Sequence, residues 1–159
     1  MSETRLQGLI AKLERGQRKT SEAFRGLSSA QWERSLYDDP TTWTARNLLA
    51  HFLSSERVLL SLCQDVARGG PGAPDGFDFD AFNAQQQPLY KNVPTAELIE
   101  QLEAARTQTL GWLRTLEENQ LDQTGQHPAL GKVSLETMII AIYGHQLIHM
   151  RDLQSKLAS

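Results

Sequence analysis

SLETMIIAIYGHQLIHMRDL, residues 134–153, is the stretch that decides how this chain folds. Ser134 offers the hydroxyl that caps a helix N-terminus, and Glu136 puts a negative charge in the first turn, where the helix dipole favours it. Positions 138, 142, 145, 149 and 152–153 then form one stripe, because steps of three and four residues return side chains to the same side. The pattern runs through Leu153 or Leu157, which predicts a long helix with one core-directed face. Two imidazoles, His145 and His149, interrupt that face.

Three more segments read the same way. In residues 95–118, Leu98, Ile99, Leu102, Ala105, Leu110, Leu113 and Leu116 recur with a period near 3.6, with Thr95 as the cap and the polar stretch ENQLDQTGQHPALGK as the stop. In residues 44–68, Thr44 is the cap, Leu48, Leu49, Phe52, Leu59, Leu60, Cys63 and Val66 face inward, and a cluster of glycines and prolines from Gly69 to Pro74 ends the helix. Residues 3–27 carry Leu6, Leu9, Ile10, Leu13, Ala23, Phe24 and Leu27 at amphipathic spacing. Ser28 and Gln31 then have capping-box spacing, which predicts a short helical turn over residues 30–34 before a break at Asp38, Asp39 and Pro40.

Between the second and third long helices lies a connection of about 25 residues, too long for a plain loop in a compact domain. FDFDAFNAQQQPLY within it predicts a short helix. No strand-like alternation of useful length and no internal repeat is present. The expectation is therefore one all-α domain over residues 1–159, a four-helix bundle with a long connection between helices two and three.

Bulk properties narrow the function. With 159 residues, 40% hydrophobic and 22% charged, the chain can build its own core. Sixteen Lys and Arg against nineteen Asp and Glu give a charge of -3 with no basic stripe, which argues against a nucleic-acid partner. The lone Cys63 excludes an internal disulfide and points to a reducing compartment, the cytoplasm. The polar N-terminal stretch MSETRLQGLIAKLERGQRK and the shortness of every apolar run speak against a signal peptide and a membrane span.

The four histidines carry the chemistry. His51 lies between Leu48 and Phe52 on the inward face of the second helix, and His145 and His149 share a face of the fourth. Three neutral imidazoles from two helices could hold zinc, nickel or ferrous iron with open positions. On spacing alone they read more simply as hydrogen-bonded core residues. HQLIH has the frame of a zinc metalloprotease, but Gln146 stands where that chemistry needs a glutamate. A ferritin-like di-iron site fails too, since Leu48, Thr124, Ile142 and Gln146 stand three residues before the histidines.

WTARNLLAHFLSSERVLL followed by HPALGKVSLETMIIAIYGHQLIHMRDLQ resembles the DinB/YfiT-like superfamily, over most of the chain. The resemblance implies a four-helix bundle of unusual helix order and a divalent metal on His51, His145 and His149. It also implies a homodimer and a small-molecule substrate. Members with known activities include transferases and isomerases that use low-molecular-weight thiols such as bacillithiol or mycothiol, so it implies transfer of such a thiol to an electrophile. Hydrolysis by metal-activated water, or a metal-binding stress-response bundle without turnover, remain open alternatives.

Other polar residues have blander expectations. His127, in GQHPALGK, reads as a solvent-exposed loop residue, with a substrate contact or proton shuttle as the alternative. Asp152 and Glu56 could orient a ligand histidine, but read more simply as solvated or salt-bridged helix charges. Cys63 reads as a core thiol, and Trp32, Trp43 and Trp112 as packing residues, with Trp43 placed to serve as a staple or line a pocket mouth.

Overall fold

The computed structural model describes residues 2–38 and 42–158. Its elements are α1 (Arg5–Arg25), α2 (Ser29–Glu33), β1 (Ser35–Tyr37), β2 (Trp43–Thr44), α3 (Ala45–Ala67), α4 (Phe79–Gln86), α5 (Thr95–Leu113), β3 (Thr124–His127), β4 (Gly131–Ser134) and α6 (Leu135–Lys156). Short 3-10 turns cover Gln87–Tyr90 and Glu118–Asp122. The four long helices α1, α3, α5 and α6 form the bundle, and α4 occupies the long connection.

Local chemistry sets most boundaries. Thr4, Ser28 and Thr44 form capping boxes with Gln7, Gln31 and Asn47, and Ser134 accepts from the Thr137 backbone N–H at 3.1 Å. Two expectations fail at α5. Its N-cap is Pro94, which has no capping side chain, and Thr95 is the first helical residue; the helix stops at Leu113, before the expected 118. The break expected at Asp38 is seen only at its edge, since Asp39 and Pro40 lie outside the described residues.

The expectation of no useful strands also needs correction. Two antiparallel hairpins form, β1 with β2 and β3 with β4. At two to four residues each, these strands are too short for an alternating pattern to register. Gly72 adds a parallel bridge to Gln126. It adopts φ +86, and a Cβ there would stand 2.6 Å from the Gln126 carbonyl oxygen, so only glycine fits.

Helix order follows from the packing. Each of α1 and α3 lies against both α5 and α6, so α1 and α3 occupy one diagonal and α5 and α6 the other. Arg5 meets Glu136 and Gly16 meets Tyr143, so α1 and α6 run parallel. The first halves of α3 and α5 share one apolar cluster, with Leu49 and Leu102, and their last halves share the other, with Leu59 and Leu113, so α3 and α5 run parallel as well. A parallel pair needs a return path the length of the bundle, which is the physical reason for the long connection holding α4. Both hairpins sit in the diagonal crossings, β1–β2 between α1 and α3 and β3–β4 between α5 and α6.

Two apolar clusters fill the bundle. Leu13, Leu59, Leu113 and Ile142 belong to one, and Phe24, Leu49, Leu102 and Met150 to the other. Where each helix passes between them it buries polar side chains: Thr20 on α1, Ser55 and Glu56 on α3, Arg106 and Thr109 on α5, Gln146 on α6. Arg106 Nε donates to Glu56 Oε1 at 2.5 Å and its Nη1 to the Leu13 carbonyl at 2.9 Å. No helix among the described residues is long and apolar enough to cross a membrane.

Candidate metal centre

α3 and α6 run antiparallel, and this brings the second-helix histidine level with the pair on the fourth. His51, 3% exposed, and the half-buried His145 and His149 offer ligand nitrogens that all lie within 4.8 Å of one another. Among the described residues they form the one such cluster. His51 Nε2 stands 2.9 Å from His145 Nε2, across 94 residues of sequence. Two imidazole nitrogens facing at that distance need a shared proton or a cation between them. Nitrogens about 2.1 Å from one ion and at right angles to each other would be about 3.0 Å apart, so the pair fits a divalent ion.

The outward nitrogens are held from behind. The Tyr37 hydroxyl donates to Asp152 Oδ2 at 2.5 Å and lies 3.0 Å from His149 Nδ1. Its single proton is committed to the carboxylate, so its oxygen accepts from Nδ1–H, leaving the His149 Nε2 lone pair free. Ser55 Oγ stands 3.3 Å from His51 Nδ1. Lys156 fixes β1 in turn, donating to the Leu36 carbonyl with its ammonium 4.3 Å from the Tyr37 ring centroid. Asp152, whose simpler reading was a solvated or salt-bridged charge, instead accepts from Tyr37 and through it meets His149. Glu56 does not: it is committed to Arg106.

Aromatic rings wall the imidazoles. Trp43 lies 5.2 Å from His51 between centroids, Phe79 meets His51 edge-on at 6.5 Å, and Phe52 lies 6.0 Å from His149. This apolar shell, with the mutual repulsion of the rings, lowers the His51 pKa to about 3 and that of His145 to about 4. Burial also lowers His149, while the Asp152 charge opposes it. All three are therefore neutral at pH 7, the state a metal requires.

His127 is not exposed, contrary to expectation; it is 7% accessible. Its Nδ1 accepts from the backbone N–H of Ala129 at 3.0 Å and of Leu130 at 3.1 Å, closing the β3–β4 turn. That fixes the proton on Nε2, which is buried without a partner. β3 packs against both α3 and α6, and His127 is near enough to His145 to depress its basicity. Burial pushes the Cys63 thiol up to about 12, so it is an inert core residue. Trp32 stacks on Phe24 at 5.7 Å, a packing role as expected.

Sequence reasoning missed Tyr37 and Ser55. Ser55, four residues after His51 on one helix face, carried a usable signal. Tyr37 did not, since its contact spans 112 residues. A cavity of about 400 Å³ lies between α3 and the α4 segment, lined by Arg46, Ala50, Ala84 and Lys91 among others, and no cluster histidine lines it.

Comparisons with known proteins agree with this architecture. The model of the DinB superfamily matches residues 12–153. YfiT from Bacillus subtilis, described as "a probable metal-dependent hydrolase with an unusual four-helix bundle topology", is similar with a TM-score of 0.75 and 18% identity, over 99% of this chain and 90% of that one. The mycothiol-dependent maleylpyruvate isomerase has the same TM-score and identity; 96% of this chain is covered, but only 63% of the isomerase. The colibactin self-resistance protein ClbS, solved in complex with a dsDNA, gives a TM-score of 0.72 at 15% identity, over 94% and 95% of the two chains. At these identities the likeness is one of fold. Curated proteins yield no significant match.

Proposed function

The chain belongs to the DinB superfamily, and from that premise we propose that it is a divalent-metal-dependent enzyme whose ion is held by His51, His145 and His149. The observation that carries this reading is the convergence of three neutral imidazoles, two of them steadied at their outer nitrogens by Tyr37 and Ser55. A bound ion would supply Lewis acidity, keeping a thiol as its thiolate or lowering the pKa of a water. The histidines bind and Tyr37 with Asp152 orients His149. Trp43, Phe52 and Phe79 exclude bulk water, which strengthens every charge interaction inside.

The reaction we favour is transfer of a low-molecular-weight thiol to an electrophilic small molecule, in line with the thiol dependence of the isomerase neighbour. Hydrolysis is the second reading, favoured by the description of YfiT. A homodimer and a cytoplasmic location complete the proposal. The expected absence of a nucleic-acid partner meets one observation against it, the dsDNA bound by ClbS, and a mobility-shift assay with duplex DNA decides that point.

Elemental mass spectrometry tests the core of this. The tag-free protein is reconstituted with zinc, nickel or ferrous iron, dialysed, and compared with a His145→Ala, His149→Ala double variant. About one ion per parent chain and little in the variant supports the reading; no retention by either protein under all three conditions overturns it. Screening the loaded protein for thiol adduct formation against ester hydrolysis separates the two reactions.

A further inference from the structure

α1 and α6 enclose a second cavity, of about 220 Å³, that none of the three cluster histidines lines. Its floor is polar. Thr20 of α1 and Gln146 of α6 both line it, and they are only 4% and 5% exposed. Neither side chain makes a hydrogen bond to another of the described residues. A buried hydroxyl or amide in that condition is costly, and Val and Leu of nearly the same shape would fill the two places without the cost. Packing therefore does not explain why these two polar groups meet here.

The walls and the mouth have a different chemistry. Tyr143 and Leu147, both half-buried, are the apolar walls. Gly16 lets the Tyr143 ring lie against α1, because a Cβ there would stand 2.7 Å from it. The exposed Lys19 and Arg151 stand at the mouth, and neither has an ion-pair partner among the described residues. No acidic side chain among the described residues lines the cavity.

We infer that this cavity binds a small organic carboxylate with an apolar body and a hydroxyl or carbonyl group at its far end. The order of the lining dictates the order of the ligand. Lys19 and Arg151 take the carboxylate at the mouth, where two cations without a counter-ion favour a negative charge. Tyr143 and Leu147 cover the apolar body. Gln146 and Thr20 each offer a donor and an acceptor to the inner polar group. At about 30 Å³ per water, the space equals that of about seven waters, which suits an acid with one ring or a short chain and excludes a nucleotide. This site is separate from the proposed metal centre and stands whether or not the histidines hold an ion.

The test titrates the isotope-labelled full chain with 4-hydroxyphenylacetate, phenylacetate and tyramine, read by amide NMR shifts. The first probe carries all three features, the second lacks the inner hydroxyl, and the third replaces the carboxylate with an ammonium group. The parent binds 4-hydroxyphenylacetate with a Kd of about 1 mM or tighter and phenylacetate about tenfold more weakly, with the shifts centred on α1 and α6, and does not bind tyramine. Thr20→Val and Gln146→Leu each weaken the hydroxylated acid about tenfold and shrink its advantage over phenylacetate. Lys19→Ala combined with Arg151→Ala weakens both acids and flattens the dependence of binding on salt. The His145→Ala, His149→Ala variant keeps both affinities, which separates this site from a carboxylate bound to an ion. Circular dichroism records the helix content of each protein, and the nearly isosteric Thr20→Val carries the test if Gln146→Leu fails to fold. A parent that binds neither acid, affinities that all the cavity variants leave unchanged, or binding lost with the two histidines overturns the inference.

Discussion

Tyr37 selects which nitrogen of His149 faces the cluster. Tyr37→Phe keeps the ring but removes the hydroxyl between His149 Nδ1 and Asp152, so the imidazole can rotate or change tautomer. Loss of such an outer hydrogen bond typically costs about 10- to 100-fold in metal affinity. We expect a fall toward the lower end, since β1 stays fixed by Lys156, and chelator competition measures it. The depressed histidines predict a pH dependence for the apoprotein. Below about pH 6.5 the unfolded chain takes up protons at positions 51 and 145 while the native rings stay neutral down to about 3 and about 4. The unfolded state then binds more protons, so stability is full above about pH 6.5 and falls as the pH drops from there toward 4. Urea midpoints at pH 7 and pH 5 should show this fall, and it should shrink in a His51→Asn, His145→Asn variant. At this scale the three histidines were legible because helix period alone aligns them. Tyr37 and the buried state of His127 were not, because each depends on a connecting segment meeting the helices in space.

Helices were easier to read than their connections. The hydroxyl caps at Thr44, Ser28 and Ser134 match the helix starts, since a cap is a contact within four residues, while the two hairpins escaped notice because their strands are held by partners across a turn. The α1–α6 contact offers a test of packing against propensity. A Cβ at Gly16 would sit 2.7 Å from the Tyr143 ring. Gly16→Ala gains about 1 kcal/mol of helix propensity, but overpacking costs about 1–3 kcal/mol. We expect net destabilisation of about 1 kcal/mol, read as a lower thermal midpoint, with the sign reversing in Gly16→Ala combined with Tyr143→Leu.

Across the whole molecule, a buried polar layer separates two apolar clusters, and the Glu56–Arg106 pair is its charged part. Burial raises the Glu56 pKa, and the Arg106 guanidinium opposes that shift. Arg106→Leu strands a buried carboxyl and should cost about 3–5 kcal/mol, whereas the Glu56→Leu, Arg106→Leu double variant should recover much of that loss. Urea denaturation of the three proteins checks this. Four helices could be counted from the sequence, but not which of them are neighbours, because helix period orients a face without naming what covers it. The diagonal placement of α1 and α3 has a consequence for how the chain is made. During synthesis α1 emerges ahead of α3, and its two partners, α5 and α6, follow only after that. Its apolar stripe therefore stays uncovered on the ribosome until α5 and α6 are out, and the native contacts, being far apart in sequence, close late and slowly for a helical protein.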